Sequence, residues 1–137
     1  MLDDPTMANP STVDRVILLT GKLYYDLVKE RQDRKPDDQV SLIRIEELAP
    51  FPFDELEATL KRYTHAKSVH WVQEEPKNQG AFTHVGPRIN SLLLDRLKVG
   101  KRVVYRGREE YSVPAPGIGK VYAAQQEKVF RDAFDGL

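Results

Sequence analysis

The sequence predicts an α/β fold, a three-layer sandwich in which a mostly parallel sheet of four or five strands is flanked by helices. Three observations carry that expectation. Short β-rich runs alternate with helical patterns along the chain, the order that builds βα units around a parallel sheet. The first run, RVILLT at residues 15–20, is continuously apolar after its opening Arg, as expected of a strand covered on both faces. The 137 residues are enough to bury roughly two thirds of the unfolded surface around one core.

The elements follow in order. After the first strand, Gly21 closes the run and Leu23, Leu27 and Val28 recur at helical spacing, with Lys29, Glu30, Arg31 and Arg34 as the wet side. Lys35-Pro36-Asp37-Asp38 is read as the end of that helix. A second strand is expected over residues 40–48 (VSLIRIEEL), ended by Pro50 and Pro52, which cannot continue a ladder. Asp54 lies three residues before Glu57, a capping-box pattern, and Leu56, Leu60 and Tyr63 give the buried stripe of the next helix. Residues 68–74 (SVHWVQE) form a third strand stopped by Pro76, and a helix over about 87–97 buries Leu92, Leu93 and Leu97. A fourth strand at 102–105 precedes a Gly- and Pro-rich stretch, residues 106–120, and the chain closes with a helix over about 124–134. Val121 and Tyr122 are read as a short fifth, edge strand. Residues 1–14 are read as a linker, with Leu2-Asp3-Asp4-Pro5 solvated, ahead of a domain at 15–137. That opening suggests a piece of a longer protein.

Composition excludes several function classes. The 21 Lys and Arg balance 21 Asp and Glu, so the net charge is zero and the pI is near 6.8, unlike the basic excess by which nucleic-acid binders displace counterions. Zero cysteines exclude disulfides, thiolate zinc sites and a Cys nucleophile. No apolar run approaches the ~20 residues of a membrane-spanning helix, and no signal peptide is visible.

Ligands of open parallel sheets collect at the C-terminal ends of the strands. The candidates there are Thr20-Gly21-Lys22, Glu46-Glu47, Gln73-Glu74-Glu75 and Arg106-Gly107-Arg108. Thr20-Gly21-Lys22 sets a hydroxyl and an ammonium before a helix N-terminus, which suits an anion, although a tight turn with a surface lysine gives the same pattern. Glu74 and Glu75 are adjacent on a strand, so they point to opposite faces and cannot flank one bond as acid and base; structural pairing is the expectation. Arg106 and Arg108, with Lys101, Arg102 and Lys120 nearby in sequence, form a local basic excess. They suit a bidentate grip on a phosphate or carboxylate, or plain surface pairing with Glu109 and Glu110. His65, His70 and His84 show no metal-ligand spacing. No GxSxG nucleophile elbow exists, and Trp71, Phe82 and Tyr111 read as core or interface residues.

Four runs, LTGKLYYDL (19–27), RIEELAPFP (44–52), WVQEEPKNQG (71–80) and YRGR with PAPG (105–108 and 114–117), resemble in order the C-terminal domain of the decarboxylating component of 2-oxoglutarate dehydrogenase. The tract VPAPGIG at 113–119 leans toward the 2-oxoadipate-using relatives. The resemblance implies a transketolase-type C-terminal domain of a tricarboxylic acid cycle oxidoreductase. In that enzyme thiamine diphosphate and Mg²⁺ serve decarboxylation, and the acyl group passes to the lipoyl domain of a partner acyltransferase. It implies that both cofactors sit in upstream domains, because no Gly-Asp-Gly with a following Asn at metal spacing occurs here. No catalytic and no metal residue is carried over, and the chain alone is expected to be inactive. What it implies for this chain is packing on the cofactor domains, homodimer formation and an allosteric acyl-CoA or nucleotide site at Arg108, with Lys22 and Thr20 behind it. The polar run 73–80, with Gln73, Glu74, Glu75 and Asn78, suits a docking surface. The implied compartment is the cytoplasm of a bacterium or the mitochondrial matrix of a eukaryote. The rival expectations are a free-standing nucleotide- or acyl-CoA-binding module and an independent small α/β enzyme.

Overall fold

The computed structural model describes residues 1–34 and 38–137. Four strands, β1 (Arg15–Leu19), β2 (Val40–Arg44), β3 (Ser68–Pro76) and β4 (Val104–Arg108), alternate with four helices, α1 (Leu23–Arg34), α2 (Phe53–Leu60), α3 (Phe82–Ser91) and α4 (Gly119–Phe134). All strand pairs are parallel, in the order β2-β1-β3-β4. Alternate residues of β1 serve opposite layers, as strand geometry requires. Ile17 and Leu19 pack with Leu23 and Leu27 of α1 and Val129 and Phe134 of α4, whereas Val16 and Leu18 pack with Leu56 of α2 and Val85 and Ile89 of α3. The expected three-layer sandwich is thus present. The chain steps from β1 out to β2 and then back past β1 to β3, so its direction reverses between β1 and β3, at the kind of crevice where α/β sheets take ligands.

The differences from expectation have local causes. The opening Leu2-Asp3-Asp4-Pro5 is solvated only in part: Leu2 and Pro5 are exposed, but Asp4 is buried. Leu2 pairs antiparallel with Arg44, and the Asp4 side chain, fully buried, bonds Arg31 Nη1 at 2.5 Å. Arg31, expected on the wet side of α1, is buried for that reason and also donates to the Val40 carbonyl. Of the expected end of α1, Lys35, Pro36 and Asp37 lie outside the described residues. β2 ends at Arg44 rather than at residue 48. The capping box is not formed: α2 begins at Phe53 with Pro52 at the cap, so Asp54 falls inside the first turn, where it and Glu57 instead pair with Arg96.

β3 runs on to Pro76 through an irregularity after Val72. α3 begins at Phe82, not near Pro87, because the Phe82 N–H is taken by the Gln73 side chain of β3 at 3.0 Å. Pro87 therefore sits inside α3, and a π-helical turn, Leu92–Arg96, follows, closed by Leu97 N–H on the Leu92 carbonyl. β4 lies two residues later than expected at its start and three later at its end. α4 starts at Gly119 and absorbs Val121 and Tyr122, so these are helical and, among the described residues, the sheet has four strands.

Candidate functional site

The C-terminal ends of the strands carry the candidate residues on two flanks. On the β1 flank, Gly21 adopts a φ of 75° with open space around it, a left-handed turn that glycine enters without steric cost. Its N–H bonds Glu46 Oε2 at 3.3 Å. Thr20 is half-buried and Lys22 exposed. The start of α1 thus already attracts one carboxylate, and Lys22 stands beside it without an ion pair. Arg44, which the sequence did not single out, closes this flank with its guanidinium carbon 4.2 Å from the centre of the Tyr24 ring.

On the β3–β4 flank, even and odd positions do different work. Gln73 is only 3% exposed. Its Oε1 accepts from Trp71 Nε1 at 2.8 Å and from Phe82 N–H at 3.0 Å, while its Nε2 donates to the carbonyls of Glu75 and Pro76. Gln73 is therefore an internal hinge-pin between β3 and α3, and of the four residues read as a docking surface it is Glu74, Glu75 and Asn78 that reach the surface. Replacing Gln73 by leucine is expected to lower the unfolding free energy by about 1–3 kcal/mol, read as a lower urea midpoint, because Trp71 Nε1 and the Phe82 N–H lose their acceptor. An unchanged midpoint would contradict this role.

Glu74 points the other way, into a chain of contacts with α4. Its Oε1 accepts from Gln126 Nε2 at 2.9 Å, and Gln126 Oε1 accepts from Arg108 Nη2 at 3.0 Å. The Arg108 guanidinium lies over the Tyr122 ring, 4.3 Å from its centre, and its Nε is buried without a hydrogen-bond partner. The expected surface pairing of Arg106 and Arg108 with Glu109 and Glu110 is not formed among the described residues; a neutral amide holds Arg108 instead. Its positive charge is oriented but not neutralised. Beside it a cavity of about 160 Å³ is lined by Arg108, Lys128 and one acid, Glu109, with Tyr111, Val113 and Pro114 as its apolar side.

The loop over this cavity is fastened twice. Asn78 Nδ2 donates to the Tyr111 carbonyl and Asn78 Oδ1 accepts the Tyr111 N–H, both at 3.1 Å. Tyr105 Oη donates to the Arg108 carbonyl at 2.7 Å. Gly107 lets these chains approach, since a Cβ there would meet the Gln73 carbonyl at 2.9 Å and also the Tyr105 hydroxyl. The same Tyr105, half-buried, has its hydroxyl pushed up to about 12 by burial, so it remains a proton donor at any physiological pH. Lys101 and Arg102 stand at the opposite end of β4 from Arg106 and Arg108. His84 bonds the Leu48 carbonyl through Nε2, His65 is exposed and His70 is buried in β3.

The sequence matches the family described as 2-oxoglutarate dehydrogenase C-terminal over residues 1–134. The chain belongs to that family. It is 41% identical over 128 residues to the 2-oxoglutarate dehydrogenase E1 component of Coxiella burnetii (strain RSA 493 / Nine Mile phase I), covering 93% of this chain and 13% of that protein. To the same component of Staphylococcus aureus (strain JH9) it is 42% identical over 121 residues, 88% of this chain and 12% of that protein. The chain thus spans about an eighth of the length of these relatives. Among solved structures, a split gene transketolase, described as an inactive beta4 tetramer, superposes with a TM-score of 0.62 at 12% identity, over 90% of this chain and 37% of that one. That likeness establishes the transketolase-like fold. As a 2-oxoglutarate dehydrogenase C-terminal domain, the chain places the polar and basic residues of its strand ends on one rim. No helix of the described residues is long and apolar enough to cross a membrane.

Proposed function

We propose that this domain serves as a docking and regulatory module of a decarboxylating component that acts on 2-oxoglutarate or 2-oxoadipate and passes the acyl group to a lipoyl acyltransferase. The residues present do not fit thiamine diphosphate or Mg²⁺: the sequence lacks a Gly-Asp-Gly and Asn metal run, and no group of three acidic or histidine side chains converges among the described residues. On this reading the cofactors sit in other domains of that component, and this one contributes packing and homodimer contacts.

The observation that carries this reading is an exposed apolar arc at the C-terminal rim. Tyr111, Val113, Ile118, Val121 and Tyr122 are 37–66% exposed; Val121 and Tyr122 lie in the first turn of α4, and Ile118 is the extended residue that caps it. Glu74, Glu75 and Asn78 flank the arc, the arrangement of an apolar interface core with a polar rim. In the intact component, Ile118→Glu with Val121→Glu is expected to dissociate the dimer at micromolar concentration while leaving the thermal midpoint of the isolated domain unchanged. Retention of the dimer would sink the docking role.

The regulatory part rests on Arg108, which lies beside the cavity bonded to the neutral Gln126 and makes no ion pair among the described residues, while Lys128 outweighs Glu109 in the lining. It accepts an anionic effector, an acyl-CoA or adenine nucleotide, with Thr20 and Lys22 two strands away, roughly 10 Å across the sheet at ordinary strand spacing. Calorimetric titration with acetyl-CoA, AMP and ADP is expected to show binding that Arg108→Gln weakens about tenfold, the cost of a charge-assisted contact. Silence at millimolar ligand would leave docking as the sole role.

A further inference from the structure

At the opposite end of the sheet, the loops that lead into β3 and β4, residues 61–67 (KRYTHAK) and 97–103 (LKVGKRV), lie side by side because the two strands are neighbours. Together they hold six of the chain's 21 Lys and Arg, plus His65, and not one acid. In a chain of zero net charge this is a pronounced asymmetry. Lys61, Arg62 and Lys67 are met by carboxylates from elsewhere, Glu57, Asp3 and Asp14. Lys98, Lys101 and Arg102 are exposed and make no hydrogen bond or ion pair among the described residues.

Between the two loops opens a groove of about 280 Å³ whose apolar part is Val16, Leu60, Leu93, Leu97 and Val99, with Thr64 and Ser68 as polar lining and Lys101 as its cation. Its lip is held open by the end of the π-helical turn. Lys98 has a φ of 54°, and Val99 N–H bonds the Leu93 carbonyl at 3.0 Å, a helix-ending arrangement related to left-handed C-caps. That places Val99, 48% exposed, on the rim rather than in the core. A largely apolar recess with Lys101 in its lining, and with the exposed Lys98 and Arg102 on the same loop, suits an apolar side chain presented beside carboxylates.

We propose that this groove is a docking site for an acidic protein segment that seats an aromatic or aliphatic side chain between the two loops and places its carboxylates on Lys98, Lys101 and Arg102. The volume admits one large side chain. The site is distinct from the effector rim, since it lies at the N-terminal ends of the strands.

Fluorescence polarisation with a labelled peptide, Glu-Glu-Phe-Leu-Glu-Glu, tests it on the purified chain. A dissociation constant below about 1 mM is expected, weakened about tenfold or more by Lys98→Glu with Lys101→Glu, and weakened also by added salt. The milder pair Lys98→Gln with Lys101→Gln gives the same comparison should charge reversal disturb folding. Equal affinity for Glu-Glu-Ser-Ser-Glu-Glu would show ion exchange without a seated side chain and overturn the proposal. So would binding unaffected by both pairs, absence of binding at millimolar peptide, or tighter binding to an oligothymidylate or to phosphatidylglycerol vesicles than to the peptide.

Discussion

Asp4→Ala is expected to destabilise the chain by about 3–5 kcal/mol, because it breaks a buried ion pair and takes the acceptor from the Leu42 N–H and from the N–H and hydroxyl of Thr6. Both side chains are shielded, 0% and 2% exposed, so water cannot take the place of the lost carboxylate. The same oxygen that meets Arg31 also accepts the Leu42 N–H of β2 at 2.8 Å, and Arg31 Nη2 meets the Thr6 hydroxyl at 2.6 Å. The substitution thus removes a hub that joins the N-terminal segment, α1 and β2. Urea unfolding of the variant measures the loss. A double variant, Asp4→Leu with Arg31→Met, is expected to recover part of it, since an apolar pair of similar volume carries no desolvation cost. If Asp4→Ala cost less than about 1 kcal/mol, the pair would be no hub. Burial works to raise the Asp4 carboxyl, but the bonds from Arg31, Leu42 and Thr6 outweigh it and hold it below its ordinary value. Its contribution is therefore complete above the unfolded carboxylate range and is lost as the pH falls through that range.

A second large effect appears at milder acidity. His70 is 2% exposed, and burial, with the charges of Arg15 from β1 and Arg106 from β4, lowers its imidazole to about 3. Both arginines lie diagonally beside it in the ladder, on the face covered by α4, and Asp135, just past α4, offsets the Arg15 charge. His70 is neutral in the fold and takes up a proton in the unfolded chain near pH 6.5. Stability is then complete above that value and falls steadily below it, by about 1.4 kcal/mol per pH unit, down to the folded value. Between pH 7 and pH 5 the chain should lose about 2 kcal/mol, before the carboxylates contribute. His70→Gln should flatten that segment of the stability profile; persistence of the slope in the variant would assign it elsewhere.

The general architecture was legible because it depends on patterns that single residues cannot disturb. The unbroken apolar run of β1 announces a strand covered on both faces, and the spacing of Leu23 and Leu27 announces a helix on one of them. Boundaries were less legible wherever a distant side chain set them. Nothing local to Phe82 says that Gln73, nine positions earlier, will take its N–H and start α3 there. Likewise the acidic opening at Asp3 and Asp4 reads as solvated until Arg31, 27 positions away, is seen to bury one of them. At the candidate site, Arg108 is expected from the family-like Gly107-Arg108 pair and ends β4, but its partner, Gln126, is a neutral residue that charge patterning could not nominate. Lys101 and Arg102 stand out in sequence only with Arg106 and Arg108, which lie at the other end of β4, whereas the loop beside them in space, residues 61–67, is 30 or more positions away.

The N-terminal segment has one more consequence. β2 is an outer strand of the sheet, and an outer strand with free backbone groups is a template for strands of other molecules. Here Leu2 exchanges both backbone hydrogen bonds with Arg44, at 2.8 and 2.9 Å, and Asp4 takes the intervening outward donor at Leu42. The first residues thus seal that border against edge-to-edge aggregation. A fragment begun at Arg15 would keep all four strands of the sheet and α1 to α4 but lose the Asp4 hub and open the outer border of the sheet.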